Sequence, residues 1–353
     1  MISAAPATVY FAIPGDIQTL TGGYGYDRRL IAGLDQLGMQ VARLQLSGLF
    51  PMPDAAAVAD ADARFNALPD GAIVLADGLA YGAMDQIAEQ HGKRLRIIAL
   101  CHHPLALEAG LSQEQSQKLH DSEKRALDAA VAVVVTSAAT ATLLNQQFAI
   151  PDSKITVAQP GTDRQPFAAC SGNPPRLLTV ATLTPRKAHD VLIDALAQIR
   201  HLPWVARFVG GSEFDPEWAS QLQEKANAYR FGKRIELVGA LSDLSGEYAS
   251  ADAFVLPSLF EGYGMVFAEA LSFGLPIVAA RAGAVPDVVP ESAGMLVPPG
   301  DVDALADTLA TLLKDMPLRN RLQHGAQQAA VKLPEWNDTA AIVANLIQEV
   351  RNR

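Results

Sequence analysis

Only two cysteines, Cys101 and Cys170, occur in 353 residues, which argues against a disulfide scaffold or a thiolate metal centre. Cys101 lies inside an apolar run and reads as a small buried thiol. Aromatics are scarce at 6%, no block rich in Lys and Arg stands out, and the formal net charge is -10 at pH 7. That balance argues against a nucleic-acid partner and gives no support to a broad polybasic membrane face. No stretch approaches the ~20 apolar residues that a membrane span needs, so no transmembrane segment is expected. The opening MISAAPATVYFAIPGD has no basic leader and runs directly into a turn, so it reads as a first strand rather than a signal peptide. A cytoplasmic protein is expected, with peripheral membrane contact left open.

Hydrophobic residues make up 49% and charged residues 19%, the composition of a compact α/β protein. The length exceeds what a single core usually serves, so two domains are expected. Apolar, β-branched runs recur between helical patterns: Thr8 to Ile13, Val41 to Leu46, Ala72 to Ala76, Arg96 to Leu100, Ala132 to Thr136 and Ile155 to Val157. The near-continuous apolar runs AIVLA and VAVVVT fit parallel strands covered on both faces. A segment dense in Pro, Gly and small polar residues follows, AQPGTDRQPFAACSGNPPR, and reads as a linker. The alternation then resumes with Leu177 to Ala181, Val205 to Val209, Ile235 to Val238, Ala253 to Leu256, Ile277 to Ala280 and Met295 to Val297.

Two Rossmann-like, doubly wound parallel-sheet domains are therefore expected, residues 1–170 and 171–334, facing each other across a cleft. Ligands of such sheets bind beyond the carboxyl ends of the strands. Residues 335–353 carry a helical stripe of Ile342, Val343, Leu346, Ile347 and Val350, and this helix is expected to pack back toward the first domain.

The most informative stretch is PSLFEGYGMVFAEALSFGLPIVAARAGAVPDVV, from Pro257 to Val289, in which a strand leads through a glycine loop into a helix. Glu261 lies in the loop and Glu269 in the helix; Gly262 and Gly264 let backbone approach a ligand, and the helix start suits an anion such as diphosphate. Either carboxylate can hold sugar or ribose hydroxyls. In LLTVATLTPRKAHDVLIDAL, Arg186 and Lys187 stand at a helix start, where the helix dipole disfavours cations unless an anion sits there too.

These motifs resemble the family-4 retaining glycosyltransferases of GT-B fold, the glycosyl transferases group 1, whose signature is Glu-x7-Glu in this strand-loop-helix setting. The resemblance implies that Glu261 contacts donor-sugar hydroxyls and that Glu269 holds the ribose. It further implies that Arg186 and Lys187 grip the diphosphate, and that the backbone around Gly262, Tyr263, Gly264, Met265 and Val266 meets sugar and diphosphate. Val238 and Gly239 match the place where the family receives the base. Family members usually carry Gly after the Lys, whereas Ala188 stands here.

In the first domain Thr21, Gly22, Gly23, Tyr24 and Gly25 form a Gly-rich loop ahead of a helix, which the resemblance places opposite the diphosphate. The run RIIALCHHPLALEAGLS ends a strand in His102 and His103; no Cys/Asp/Glu cluster at ligand spacing accompanies them, so no metal is expected. The resemblance puts a His close to the transferred sugar and favours His102, with His103 in reserve. Asp77 and Asp163 sit at strand or loop ends, where acceptor contact and turn chemistry both explain them.

The catalytic set implied is His102, Arg186, Lys187 and Glu261, serving metal-independent, retaining transfer of a hexose-type sugar from a UDP-, GDP- or ADP-sugar without further cofactor. The acceptor stays open among small molecules, glycans and lipids. A nucleotide-sugar epimerase and a non-catalytic nucleotide-sugar-binding protein are the alternatives. An NAD-dependent dehydrogenase is disfavoured by the missing G-x-G-x-x-G fingerprint.

Overall fold

A computed structural model describes residues 8–353. The residues ahead of Thr8, on which the reading of no leader partly rests, lie outside it. The chain divides into two compact units, the first ending at Gly161 and regained by Pro334–Arg353, the second being Thr162–Leu333.

The first unit is built on β1 (Val9–Pro14), β2 (Val41–Leu46), β3 (Ile73–Asp77), β4 (Arg96–Cys101), β5 (Ala132–Val135) and β6 (Ile155–Val157). They form one sheet in the order β2-β1-β3-β4-β5-β6, and every pairing is parallel. The helix Trp336–Asn352 belongs to this unit. Its Ala340 sits where a side chain on Gly33 of the helix Gly22–Gln36 would collide, so the glycine permits close helix contact. Trp336 is held by the Tyr26 ring, edge-on at 5.8 Å, and by the Arg29 guanidinium, 5.2 Å from its centroid.

The second unit contains β7 (Arg176–Val180), β8 (Val205–Val209), β9 (Ile235–Gly239), β10 (Ala253–Leu256), β11 (Ile277–Ala280) and β12 (Gly294–Val297), in the order β12-β11-β10-β7-β8-β9. Its pairings are also all parallel. Side chains alternate between two cores, one on each face: Ala253 and Val255 enter one, Phe254 and Leu256 the other. Burial on both faces explains why these strands read as unbroken apolar runs rather than alternating ones.

The division falls at Gly161/Thr162, not at the expected 170/171. The Pro- and Gly-rich segment is fastened to the second unit: the Ala168 amide donates to the Phe273 carbonyl (2.8 Å), and the buried Asp252 accepts from the Gly172 and Arg176 amides (both 2.7 Å). Composition marks a linker but not the surface that satisfies its backbone. Among the described residues no helix is long and apolar enough to cross a membrane.

Candidate active site

In the second unit the chain runs outward from β7 to β8 and β9, then returns to place β10 on the other side of β7. The carboxyl ends of β7 and β10 therefore form the topological switch point, where connections diverge and leave a crevice. The loop after β7 carries Arg186 and Lys187, and the loop after β10 carries Glu261. Lys187 Nζ donates to Glu261 Oε1 at 2.6 Å, Arg186 donates to the Phe260 carbonyl at 3.0 Å, and its guanidinium lies 3.7 Å from Glu261 Oε2. A backbone bond from the Leu259 amide to the Arg186 carbonyl (2.8 Å) stitches the two loops.

Glu261 is only 5% exposed. Burial alone would raise its pKa, but the charges of Lys187 and Arg186 outweigh that and hold the carboxyl below its ordinary range. The cluster is thus two cations around one buried carboxylate.

Gly264 starts the helix Met265–Ser272 with φ 84, and a side chain there would strike the Phe267 ring. No side chain caps this helix, so the amides of its first turn are presented by backbone geometry alone. Tyr263 lies in the apolar core. Val238 stands at a register break between β8 and β9, where Val209 pairs with Gly239 instead of its neighbour. Ala188, found where glycine is usual, takes the left-handed conformation (φ 52) that explains why glycine is usual there.

Glu269, buried in the helix, accepts a hydrogen bond from the Tyr248 hydroxyl at 2.8 Å. Burial raises its pKa, the Tyr248 bond opposes this, and the charge of Asp163 adds to it. The Tyr248 ring stacks on Phe273 at 5.2 Å, which fixes the hydroxyl. Neither the loop glycines nor the Glu-x7-Glu spacing reveals Tyr248. Gly283, also missed, lies under the Glu261 loop with φ 55, and the next amide, of Ala284, donates to the Glu261 carbonyl at 2.9 Å.

In the first unit Gly22 and Gly23 are the first turn of the helix Gly22–Gln36, not a loop ahead of it, because the Thr21 side chain caps the helix by accepting from the Tyr24 amide. A side chain on Gly23 would touch the His102 ring at 3.4 Å. His102 Nε2 lies 3.3 Å from Asp27 Oδ1 and 3.6 Å from Asp77 Oδ2, whereas His103 pairs with Glu108 at 3.3 Å. The structure therefore separates the two histidines by environment. Asp77 also accepts from the Leu79 amide, the turn role that its sequence position allowed. Asp27 carries no local signal, since it sits in the polar run YDRR at the start of an otherwise amphipathic helix.

Below His102, Glu123 is fully buried, accepting from the Leu105 amide (2.8 Å) and lying 3.8 Å from Cys101 Sγ. Burial pushes its carboxyl up to about 8, against an ordinary value of 4.5. The folded state then binds a proton that the unfolded chain releases, so stability falls as pH rises through that window. Glu123→Gln is expected to remove this slope, up to ~1.4 kcal/mol per pH unit, and to raise the melting temperature on the alkaline side; thermal melts across the window check it.

Residues 163–329 match the family model for glycosyl transferases group 1. The second unit is a group 1 glycosyl transferase domain. Among curated proteins, the sulfoquinovosyl transferase SQD2 of Arabidopsis thaliana is 42% identical over 107 residues, covering 29% of this chain and 21% of that protein. An MMP alpha-(1->4)-mannosyltransferase of Mycolicibacterium hassiacum is 28% identical over 232 residues, covering 63% of this chain and 54% of that protein. The chain thus spans about half the length, or less, of these two relatives. Among solved structures, sucrose-phosphate synthase from Thermosynechococcus elongatus superposes with a TM-score of 0.82 at 21% identity, over 98% of this chain and 99% of that one. This likeness shows the GT-B fold. The glycosyl transferase domain holds Arg186, Lys187, Glu261 and Glu269, all within the matched residues.

Proposed function

We propose that this chain is a retaining glycosyltransferase that moves a hexose-type sugar from a nucleotide-diphosphate sugar to an acceptor, with no metal required. The observation that carries this reading is the convergence of Lys187, Arg186 and Glu261 at the switch point of the second unit. Arg186 and Lys187, with the uncapped helix start at Met265, supply positive charge and amides to the diphosphate as negative charge builds on it at departure. Glu261, held ionised by the two cations, accepts hydrogen bonds from donor-sugar hydroxyls, and Glu269 accepts them from the ribose. Transfer proceeds on the face the leaving group vacates, with the departing phosphate taking the acceptor's proton. His102 serves the transfer step. The two cysteines, both free, fit a reducing, cytoplasmic setting.

Calorimetry of the whole chain against UDP, GDP, ADP and their hexose conjugates tests the proposal. One nucleotide is expected to bind, unaffected by chelator and weakened in Glu269→Ala; failure of all of them to bind would overturn the reading. Tyr248→Phe supplies a finer prediction. It removes one bond that orients Glu269, so affinity for the ribonucleotide should drop about 5- to 10-fold, as for one lost charge-assisted bond. Affinity for the 2′,3′-dideoxy analogue should not change, and equal losses for both would remove Tyr248 from ribose recognition.

A further inference from the structure

The chemistry of His102 depends on whether its ring is neutral, and so able to take a proton, or cationic, and so only able to donate. Nothing in the motifs decides this, but the surroundings of the ring do. Asp27 comes from the helix after β1, Asp77 ends β3, and His102 follows β4, so three neighbouring strands deliver three ionisable groups to one point. Asp27 is fully buried and Asp77 nearly so, while the His102 side chain is 19% exposed. Both carboxylates approach the same ring nitrogen, Nε2, at 3.3 and 3.6 Å.

We propose that Asp27 and Asp77 are a proton-holding pair that keeps His102 an imidazolium, so that its other ring nitrogen, Nδ1, is a standing hydrogen-bond donor in the transfer step and never the base. Two ionised carboxylates beside a neutral imidazole would leave two uncompensated negative charges out of water, which is prohibitive. One proton on the ring and one shared between the acids bring the net charge to zero. Asp77 is the ionised partner, because its Oδ1 accepts the Leu79 amide at 2.7 Å. Asp27 is the protonated one, because its Oδ2 is buried without a donor to stabilise charge.

The electrostatics agree. Burial works against a charged ring, but hydrogen bonds and charges from Asp27 and Asp77 outweigh it and raise His102 to about 10. Burial, then the charge of Asp77, raises Asp27, while bonds from His102, Asp27 and the Leu79 amide bring Asp77 below its ordinary value against burial.

The other titratable groups around the ring stay neutral near pH 7. Tyr26 meets it edge-on at 5.2 Å and donates to the Ala158 carbonyl; Tyr24, donating to the Pro14 carbonyl, is pushed up to about 12. Burial raises the Cys101 thiol and the Glu123 carboxyl as well. His103 and Glu108, the remaining ionisable neighbours in sequence, pair with each other.

The donor role rests on the transferase reading; the charge state does not. Histidine ¹⁵N NMR on the whole chain, with His102→Gln to assign the signal, reads the charge state directly. Both His102 nitrogens should keep imidazolium shifts from about pH 6 to about pH 9. Asp77→Asn should lower the titration by ~2 units, and Asp27→Asn by less, since Asn mimics a protonated Asp. A neutral His102 at pH 7.5, or an equal drop in the two variants, would overturn the proposal. So would tight zinc binding lost in His102→Gln, because the three ligand atoms lie within 4.8 Å of one another and a cation could take the protons' place.

If Asp77→Asn fails to fold, the wild-type titration still decides. Where the nucleotide panel has identified a donor, kcat/KM in Asp77→Asn should fall as pH rises through the lowered His102 titration, while wild type stays level there. A profile that does not move with the NMR titration overturns the donor role. If no nucleotide binds, the transferase reading fails and the NMR arm stands by itself.

Discussion

Lys187→Ala should lower kcat/KM for the nucleotide-sugar donor by roughly 10²- to 10³-fold, the usual cost of removing one group that stabilises charge developing at the reacting centre. Lys187 is the shortest contact of Glu261, at 2.6 Å, so its removal both takes a cation from the diphosphate and loosens the carboxylate. Arg186 stays 3.7 Å from the other carboxylate oxygen, which moderates the cost of a buried charge losing its partner. The variant should therefore fold, with its defect concentrated in turnover and nucleotide affinity. Lys187→Arg should not restore activity, because a planar fork does not reproduce a compact ammonium at one short contact. Steady-state kinetics with the donor identified by calorimetry checks this, and retention of wild-type turnover by Lys187→Ala would remove the cluster from the reaction.

Gly283→Ala should damage stability and donor binding together. The residue has φ 55, and an added Cβ would lie 2.1 Å from the Glu261 carbonyl oxygen and 3.0 Å from its amide nitrogen. The left-handed conformation costs a non-glycine residue ~1–2 kcal/mol, and the overlap adds ~1–3 kcal/mol if the loop is to stay in place. Relief would require the Glu261 backbone to move and would break its bond from the Ala284 amide. The expected result is a loss of ~2–5 kcal/mol in denaturant melts together with nucleotide affinity reduced at least as much as in Glu269→Ala. Gly246→Ala is the control: it lies in the helix Ser245–Ala249 with nothing within 4 Å of the added carbon, and it should be neutral or slightly stabilising. If Gly283→Ala binds donor normally, the loop after β11 does not set the position of Glu261.

The strands were legible because parallel strands buried on both faces must be apolar throughout, and runs such as VAVVVT have few other places to go. Arg186, Lys187 and Glu261 stood out because each sits at a strand-to-helix junction, where local residue order carries meaning, and Glu269 stood out by its spacing from Glu261. Gly22 and Gly23 were misplaced by one structural step, since glycine signals a turn more readily than a capped helix start. The linker was visible, but its allegiance to the second unit was not, because Asp252 is far along the chain from the amides it satisfies.

Taken alone, the amino-acid order determined two rounds of strand and helix, the glycine-bearing loop between the two glutamates, and the paired cations at a helix start. The tertiary structure decided the partners: Lys187 with Glu261, Tyr248 with Glu269, Gly283 beneath the Glu261 loop, and Asp27 and Asp77 around His102. The reason is physical. Strand order in a parallel sheet brings loops together from distant parts of the chain, and only there do burial and charge fix which side chains must share a hydrogen bond or a proton.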